Sequence, residues 1–141
     1  MGKSTDIRCV GANLYFLPVE TRVPLKFGAE TLTSVTCARV CVRVEGENGQ
    51  WAEGWGETPL SVTWVWPSEL GYEVRHEAMR AFCIHLAEAW AGFNGSGHPI
   101  ELGHDFLEGA LPQLLEGFND CREGAPMPWL AALVCCSLFD I

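Results

Sequence analysis

The residues most suggestive of acid and base chemistry are Glu53 and Glu57, which fall on one face of a predicted strand because alternate strand residues share a face. Paired carboxylates are common in general acid and base catalysis. No third group nearby in the sequence would tune one of them for proton transfer or bind a metal ion with them. A structural role beside the neighbouring glycines is therefore favoured, and no catalytic residue is predicted.

The histidines and cysteines do not form a metal-binding pattern. His76 and His85 lie nine residues apart, which places them on opposite sides of a helix, so they cannot bind one ion together. His98 and His104 have a spacing that matches no standard ligand pattern. The seven cysteines are odd in number and lack a Cys-x-x-Cys motif, which argues against a disulfide framework and a zinc site. Reduced, mostly buried thiols are expected, and no metal site is predicted.

Two aromatic residues, Trp64 and Trp66, stand two positions apart beside Pro67. Large aromatic side chains are costly to expose, so they either line a binding site or pack against a partner. Two charged residues, Arg22 and Lys26, occupy a predicted loop. Without further context, such charges are more often solvated than engaged with a ligand.

Composition indicates one ordinary globular domain. The chain has 141 residues, 48% hydrophobic and 19% charged, with a formal net charge of -9. That charge would repel phosphate backbones and anionic membrane surfaces, so neither nucleic acid nor membrane is an expected partner. Neither a signal peptide nor an apolar stretch of about 20 residues is present, and a cytoplasmic protein is therefore expected.

The elements that must position these residues follow from hydrophobic periodicity. Alternation of apolar residues predicts strands at about residues 7–17, 35–45 and 50–57, joined after the second by a Gly-Glu-Asn-Gly turn. In the third strand, alternate residues are Ala52, Gly54 and Gly56, and such glycines mark a bulge or the close approach of other backbone. A three-to-four-residue period then predicts helices at about 72–91 and 104–119, with a kink or a new helix start at Pro112.

The segment 128–141 begins with a proline at a plausible first helical position and continues with hardly a polar atom. A helix that is apolar on every side must be covered on every side. The earlier part of the chain offers too little spare apolar surface for this. The sequence therefore predicts that residues 1–127 form one domain, and that 128–141 begins a helix leading into a further domain that this chain lacks.

The order of these features resembles the N-terminal capping domain of the enolase superfamily, in its mandelate racemase and muconate lactonizing enzyme branch. The resemblance rests on a meander followed by helices, with Arg22-x-Pro24-Leu25-Lys26-Phe27-Gly28 after the first strand and Gly54-Trp55-Gly56-Glu57-Thr58 ending the third. It extends from Ile7 to Ile141. The implied fold class is α+β, with a three-stranded antiparallel meander followed by a bundle of three to four helices.

The resemblance implies a two-domain enzyme in which this cap covers a (β/α) barrel. Such enzymes abstract the proton alpha to a carboxylate and stabilise the enediolate with Mg²⁺, as lyases, isomerases or racemases. The family's Lys-x-Lys base motif and its acidic metal ligands lie in the barrel. This chain contains only Lys3 and Lys26, so no catalytic or metal residue transfers to it. The implied partners are the missing barrel and, through the full enzyme, a small carboxylate substrate; homo-oligomerisation is left open.

Two loops of the cap close over the barrel mouth in this family, and by position they are Pro18–Gly28 and Glu57–Pro67. The resemblance implies that they contact the distal part of the substrate. The candidate contacts are Arg22, Lys26, Thr58, Trp64 and Trp66.

Two other interpretations remain open. One is a complete, non-catalytic binding or dimerisation module whose apolar C-terminal helix forms the interface. The other is a thiol redox protein using Cys135 and Cys136. The second is the weakest, because adjacent residues of a helix point in different directions and no basic residue nearby in sequence would activate a thiol.

Overall fold

A three-stranded antiparallel sheet forms the first half of the molecule. The computed structural model describes residues 2–141, except for the side chain of Phe27. The predicted capping domain begins at Met1, which lies outside the described residues. The strands pair in the order β1-β2-β3, with β1 (Ile7–Phe27), β2 (Glu30–Gly46) and β3 (Trp51–Pro59). The predicted α+β class, a meander followed by helices, is confirmed.

The first hairpin is longer than the sequence predicts. The predicted loop at Pro18–Gly28 is wrong, because β1 continues to Phe27 and pairs with a β2 that begins at Glu30. β1 is an edge strand, where proline costs few ladder hydrogen bonds, and Pro24 lies in the register irregularity between Glu20 and Leu25. β-branched residues, which favour strands, fill this extension: Val19, Thr21, Val23, Thr31, Thr33 and Val35.

The two faces of the sheet differ as the alternation predicts. Ala38, Val40 and Val42 of β2 are buried against the helices. In β1 the alternation predicts that Val10 faces the core, but Val10 is exposed and its neighbour Cys9 is buried instead. The register shift between Cys9 and Gly11 inserts one residue and so exchanges the faces.

The glycines of β3 permit a close approach of the C-terminal segment. A Cβ atom added at Gly56 would lie 1.9 Å from the carbonyl oxygen of Leu138, and one added at Gly54 would lie 3.4 Å from Cδ1 of Ile141. The interpretation of these glycines as a place where other backbone comes close is confirmed. The bare face of β3 therefore holds the chain segment that follows the last helix.

The second half of the molecule is helical. Its elements are α1 (Val62–Val65), α2 (Tyr72–Ala91), α3 (Pro99–Asp105), a π-helical turn (Phe106–Ala110), α4 (Leu111–Asp120) and α5 (Trp129–Ser137). α2 has the predicted bounds. The second predicted helix begins at Pro99 instead of residue 104, because His98 caps it: its Nδ1 accepts from the backbone N–H of Ile100 (3.3 Å) and Glu101 accepts from the backbone N–H of His98 (3.3 Å).

The π-helical turn lies immediately before Pro112, where the sequence predicts a kink or a new start. Proline lacks an N–H and its ring crowds the carbonyl four residues earlier. A widened turn at Phe106–Ala110 relieves this crowding and lets α4 begin at Leu111. If the segment Pro99–Asp120 is counted as one continuous helix, residues 2–141 contain four helices. This number agrees with the predicted three to four.

The core lies between the inner face of the sheet and the helices. Met79, Cys83, Leu86 and Trp90 of α2, which the sequence places on one helix face, are all buried. Trp90 stacks on Phe106 of the π-helical turn, with ring centroids 4.1 Å apart. This aromatic contact joins the two long helical segments.

The apolar helix α5 is covered mainly by this chain itself. Ala131, Ala132 and Cys135 are fully buried, whereas Trp129 and Leu130 are 43% and 45% exposed. The expectation that the earlier elements cannot cover this segment is therefore wrong for most of its residues. The reason is the glycine-lined face of β3, which provides room for Leu138 and Ile141.

A bilayer crossing would need a longer and more apolar helix than any found in residues 2–141.

Candidate functional site

A cavity of about 510 Å³ opens between the far end of the β1–β2 hairpin and the segment that follows β3. Its apolar wall consists of Leu25, Leu32, Val35, Pro59, Val62, Trp64 and Tyr72. Its hydroxyl groups come from Thr21, Thr31, Thr33, Ser34, Ser61 and Thr63. A single carboxylate, that of Glu30, completes the lining. A mainly apolar concavity with a few polar groups is the usual form of a small-molecule site.

A tight connection after β3 brings α1 against the hairpin. Leu60 donates a backbone hydrogen bond to the carbonyl of Thr36 (2.9 Å), and Ser61 then turns the chain with a φ of 23°. This conformation is unusual for a residue other than glycine and stores backbone strain beside the cavity. The Ser61 carbonyl accepts from the backbone N–H groups of Trp64 (3.0 Å) and Val65 (3.1 Å), which begins α1.

One side-chain hydrogen bond ties the two walls together. The hydroxyl of Thr63 in α1 donates to a carboxylate oxygen of Glu30 at the start of β2 (2.7 Å). Glu30 and Thr63 are 33 residues apart, so the bond fixes the hairpin end relative to α1. Within the hairpin, the hydroxyl of Thr21 donates to the carbonyl of Thr33 (3.1 Å) across the register irregularity.

The two tryptophans that the sequence singles out have different positions. Trp64 is 65% exposed and lines the cavity. Trp66 is only 2% exposed and belongs to the core, where the guanidinium of Arg122 lies over its ring at 5.3 Å. Its carbonyl accepts from Nη1 of the buried Arg75 (2.6 Å), which anchors the end of α1 to α2. Of the pair, only Trp64 can meet a ligand in the cavity.

The other three sequence candidates are absent from the cavity lining. Arg22 and Lys26 lie in β1 with exposed side chains, and Lys26 pairs with Thr31 in the sheet. Thr58, expected in a loop, lies inside β3 opposite Ala38. The hairpin extension explains the positions of Arg22 and Lys26, and the longer β3 explains that of Thr58, because a paired strand holds side chains to fixed faces where a loop would not. A substrate contact by any of the three stays a prediction.

Tyr72 forms the boundary between the cavity and α2. Burial raises the pKa of its phenol, the negative charges of Glu73 and Glu30 raise it further, and Arg75 opposes them. The Tyr72 ring stacks on His76 with centroids 5.7 Å apart. Nε2 of His76 lies 2.8 Å from the hydroxyl of Thr36, so the stack is connected to β2. The phenol of Tyr72 is therefore a neutral hydrogen-bonding group at neutral pH.

Glu53 and Glu57 do not form a catalytic pair. Glu57 pairs with Arg39 (2.6 Å) and Glu53 with Arg43 (2.7 Å), on the outer face of the sheet and away from the cavity. The antiparallel register places each glutamate directly opposite its arginine. The structural role favoured from sequence agrees with this geometry.

Among residues 2–141, one cluster of Glu, His, Cys and Asp has the proximity that a metal site requires: Glu73, His76 and Glu77 at the start of α2. Nδ1 of His76 is 3.8 Å from the carboxylate of Glu73 and 3.9 Å from that of Glu77. Glu77 is already paired with Arg80 (2.8 Å). Mg²⁺ prefers an octahedral set of oxygen ligands, so one imidazole and two exposed glutamates do not fit it.

All seven cysteines are free, and six of them are buried. Burial raises the pKa of Cys136 to about 12. The pKa of Cys135 is also raised, first by its hydrogen bond with Cys83 and then by burial. Reactive cysteines have lowered pKa values, so a redox role for Cys135 and Cys136 is disfavoured.

Sequence reasoning missed the carboxylate of Glu30, the phenol of Tyr72 and the row of hydroxyls in the cavity. A signal for the hydroxyls was present, since Thr31, Thr33 and Thr21 have the β-branched character and alternation of a strand. No local signal marks Glu30 or Tyr72, because their proximity depends on the packing of α2 against the hairpin.

Comparison with known proteins finds likenesses among solved structures, and two of these are to epimerases. No protein-family model matches this chain, and no curated protein matches it significantly. The chain is similar to the substrate-liganded L-Ala-D/L-Glu epimerase from Bacillus subtilis, with 20% identity and a TM-score of 0.44, over 77% of this chain and 26% of the epimerase. It is also similar to a dipeptide epimerase from Enterococcus faecalis V583 complexed with Mg and the dipeptide L-Leu-L-Tyr, with 14% identity and a TM-score of 0.45, over 92% of this chain and 30% of the epimerase. The chain thus spans less than a third of either epimerase.

Proposed function

We propose that this chain is the substrate-capping domain of a magnesium-dependent enzyme of the enolase superfamily, in the mandelate racemase and muconate lactonizing enzyme branch. Its reaction would be abstraction of the proton alpha to a carboxylate, leading to isomerisation, racemisation or elimination. The observation that carries the proposal is the cavity. Half of its lining residues come from the two segments that the motif order assigns to substrate capping, Pro18–Gly28 and Glu57–Pro67, and the other half come from the start of β2 and from Tyr72.

The residues of this chain would supply binding and shielding, with no part in bond making. Leu25, Val35 and Trp64 offer apolar surface that excludes water from a substrate group. Tyr72 and the hydroxyls of Ser61 and Thr63 offer hydrogen bonds that orient it. The strained turn at Ser61 and the hydrogen bond that Leu60 donates to the carbonyl of Thr36 position Trp64 beside the cavity.

The catalytic base and the metal ligands would come from a barrel domain. Lys3 and Lys26 do not form a Lys-x-Lys motif. The cluster Glu73, His76 and Glu77 does not suit Mg²⁺, for the reasons given above. When bound in the barrel, Mg²⁺ would stabilise the enediolate oxygens. The cap would act on the distal part of the same substrate.

The coding DNA and proton exchange test this proposal together. We expect an in-frame continuation past Ile141, or a co-encoded polypeptide, carrying Lys-x-Lys and spaced acidic residues. The resulting enzyme should exchange the alpha proton of a carboxylate substrate with deuterium from D₂O in the presence of Mg²⁺. The proposal is withdrawn if neither the in-frame continuation nor a co-encoded polypeptide contains a barrel, or if the enzyme does not exchange the alpha proton.

A matched pair of variants tests the role of the cavity in that enzyme. Trp64→Ala should raise KM about five- to tenfold with a smaller change in kcat, because it removes binding surface from the capping segment. Trp51→Ala is the control, since Trp51 is 63% exposed on the strand β3 and does not line the cavity. Equal effects of the two changes would contradict a capping role for Trp64.

The second candidate function is a non-catalytic module that dimerises through α5. Trp129 and Leu130 favour it, because they are exposed apolar residues on a helix whose other apolar residues are buried or half-buried. This candidate function predicts that the chain is a dimer in sedimentation equilibrium and that the substitution Leu130→Lys makes it a monomer. Ile84→Lys is the matched control, because Ile84 of α2 is 47% exposed. A monomer at all concentrations would remove this candidate.

A further inference from the structure

We propose that the cavity binds a positively charged, partly aliphatic group, such as the end of an alkylammonium side chain. This identifies the substrate class of the same site and rests on the proposed function for the statement that the cavity faces substrate. The two cationic residues that the sequence offers as candidate contacts, Arg22 and Lys26, are outside the cavity lining.

The carboxylate of Glu30 provides the negative charge. One of its oxygens accepts a hydrogen bond from the hydroxyl of Thr63 (2.7 Å). This bond holds the carboxylate in the cavity wall and leaves its other acceptor positions available for a ligand. Among the residues that the structure describes, no lysine or arginine lines the cavity and none forms an ion pair with Glu30. The nearest sequence cations, Arg22 and Lys26, are outside the lining.

Two aromatic rings provide a second attraction for a cation. Trp64 and Tyr72 both line the cavity, and the faces of such rings attract ammonium and guanidinium groups. Trp64 is 65% exposed in the absence of a ligand, so a ligand can bury it. A carboxylate combined with aromatic faces favours organic cations over neutral ligands of the same shape.

The remaining lining suits the aliphatic part of such a ligand. Leu25, Leu32, Val35 and Val62 provide an apolar surface beyond the carboxylate. An anionic group in the same position would face Glu30 without a compensating cation, in a chain whose formal net charge is already -9. The cavity therefore discriminates by charge as well as by shape.

A series of isosteric probes tests this inference without any substitution. n-Pentylammonium, 1-pentanol and pentanoate share an alkyl chain and differ in charge. We expect n-pentylammonium to shift the NMR signals of Ser61, Thr63 and the Trp64 indole, with a Kd about tenfold lower than that of 1-pentanol. Its affinity should fall as ionic strength rises, and that of 1-pentanol should not. Equal affinities for the ammonium and the alcohol would overturn the proposal.

A matched pair of variants assigns the charge to one residue. Glu30→Gln should weaken n-pentylammonium binding about tenfold and leave 1-pentanol binding unchanged. Glu20→Gln is the control, because Glu20 lies in the same hairpin outside the cavity lining. If both variants bind the ammonium as the wild type does, Glu30 is not the binding group and the proposal fails.

The outcome is separable from that of the proposed function. If the DNA encodes a barrel but the cavity does not prefer the ammonium, the proposed substrate class is withdrawn and the capping role is kept. Ammonium binding in a chain with no encoded barrel would keep the cation site and withdraw the enzyme.

Discussion

Gly56 lies directly beneath the backbone of Leu138: a Cβ atom at residue 56 would be 1.9 Å from the Leu138 carbonyl oxygen. No side chain can occupy this space without moving the C-terminal segment, because the obstacle is backbone. The contact is what allows α5 and the residues after it to pack on the sheet. It connects a local sequence feature, the glycine-rich third strand, with a chain segment that is distant in the sequence.

Replacing Gly56 by alanine should therefore unfold or displace the C-terminal segment. We expect Gly56→Ala to lower the free energy of unfolding by about 2–4 kcal/mol in urea denaturation. Gly54→Ala is the matched control, because its Cβ would meet Cδ1 of Ile141 at 3.4 Å, an ordinary contact. That change should cost less than about 0.5 kcal/mol. Similar unfolding midpoints for the two variants would contradict the observed packing.

The two tryptophans should differ sharply in their contribution to stability. Trp66→Ala removes a side chain that is 2% exposed and should cost about 3–5 kcal/mol through lost packing and a cavity. Trp64→Ala removes one that is 65% exposed and should change stability by less than about 0.5 kcal/mol. Thermal or urea unfolding followed by circular dichroism measures both. A larger loss for Trp64→Ala would mean that this residue is structural.

Stability should fall in alkaline solution partly through Cys136. Its thiol has a pKa of about 12 in the folded protein against an ordinary value of 9.0. Between these values the folded state keeps a proton that the unfolded state has lost, so the free energy of unfolding decreases as pH rises. The contribution of this thiol is complete below about pH 9, and its loss reaches at most about 4 kcal/mol by about pH 12.

Cys136→Ala should make the dependence of Tm on pH shallower between about pH 9 and pH 10.5, because alanine does not ionise. Other buried thiols, including Cys135, leave part of the slope in place. The control is Cys121→Ala, at an exposed thiol. An unchanged slope in Cys136→Ala, measured by differential scanning calorimetry, would show that the thiol ionises without unfolding.

Thiol accessibility should single out one cysteine. Cys121 is exposed and the other six are buried, so the native protein should show one rapidly reacting group in a disulfide-exchange titration at neutral pH. Unfolding in guanidinium should raise the count to seven. Cys121→Ser should abolish the fast phase. A second fast group that survives this change would reopen the thiol redox interpretation.

The outer face of the sheet offers a test of register. Arg43 pairs with Glu53 on the neighbouring strand at 2.7 Å, with both side chains partly exposed. A double-mutant cycle with alanine at both positions should give a coupling energy of about 0.2–1 kcal/mol that decreases in high salt. No coupling at low salt would indicate a different alignment of β2 and β3.

Much of the fold could be predicted where the cause is local. The alternation in β2 identifies Ala38, Val40 and Val42 as the inner face, and all three are buried. The period in Tyr72–Ala91 gives the bounds of α2. Pro112 marks the region of the widened helical turn. In each case a short stretch of chain holds the signal, because side-chain direction follows from backbone geometry alone.

The candidate site could be predicted only in outline. The two predicted capping segments and Trp64 were identified from the sequence, and each contributes to the cavity lining, whereas the start of β2, which lines another wall, was not identified. The exclusion of Arg22 and Lys26 was not predictable, because it depends on the pairing of β1 with β2 beyond residue 17. The difference between Trp64 and Trp66 depends on tertiary packing, which buries Trp66 in the core and leaves Trp64 exposed beside the cavity.

The sequence by itself determined the class of fold, the inner face of the sheet, the extent of α2 and the unusual bareness of β3. The tertiary structure decided which carboxylate enters the cavity, which arginine meets Glu53 and how α5 is covered. The physical reason is the range of the interactions. Periodicity and turn chemistry act over a few residues, whereas the bond between Thr63 and Glu30 and the contact between Gly56 and Leu138 join segments that only packing brings together.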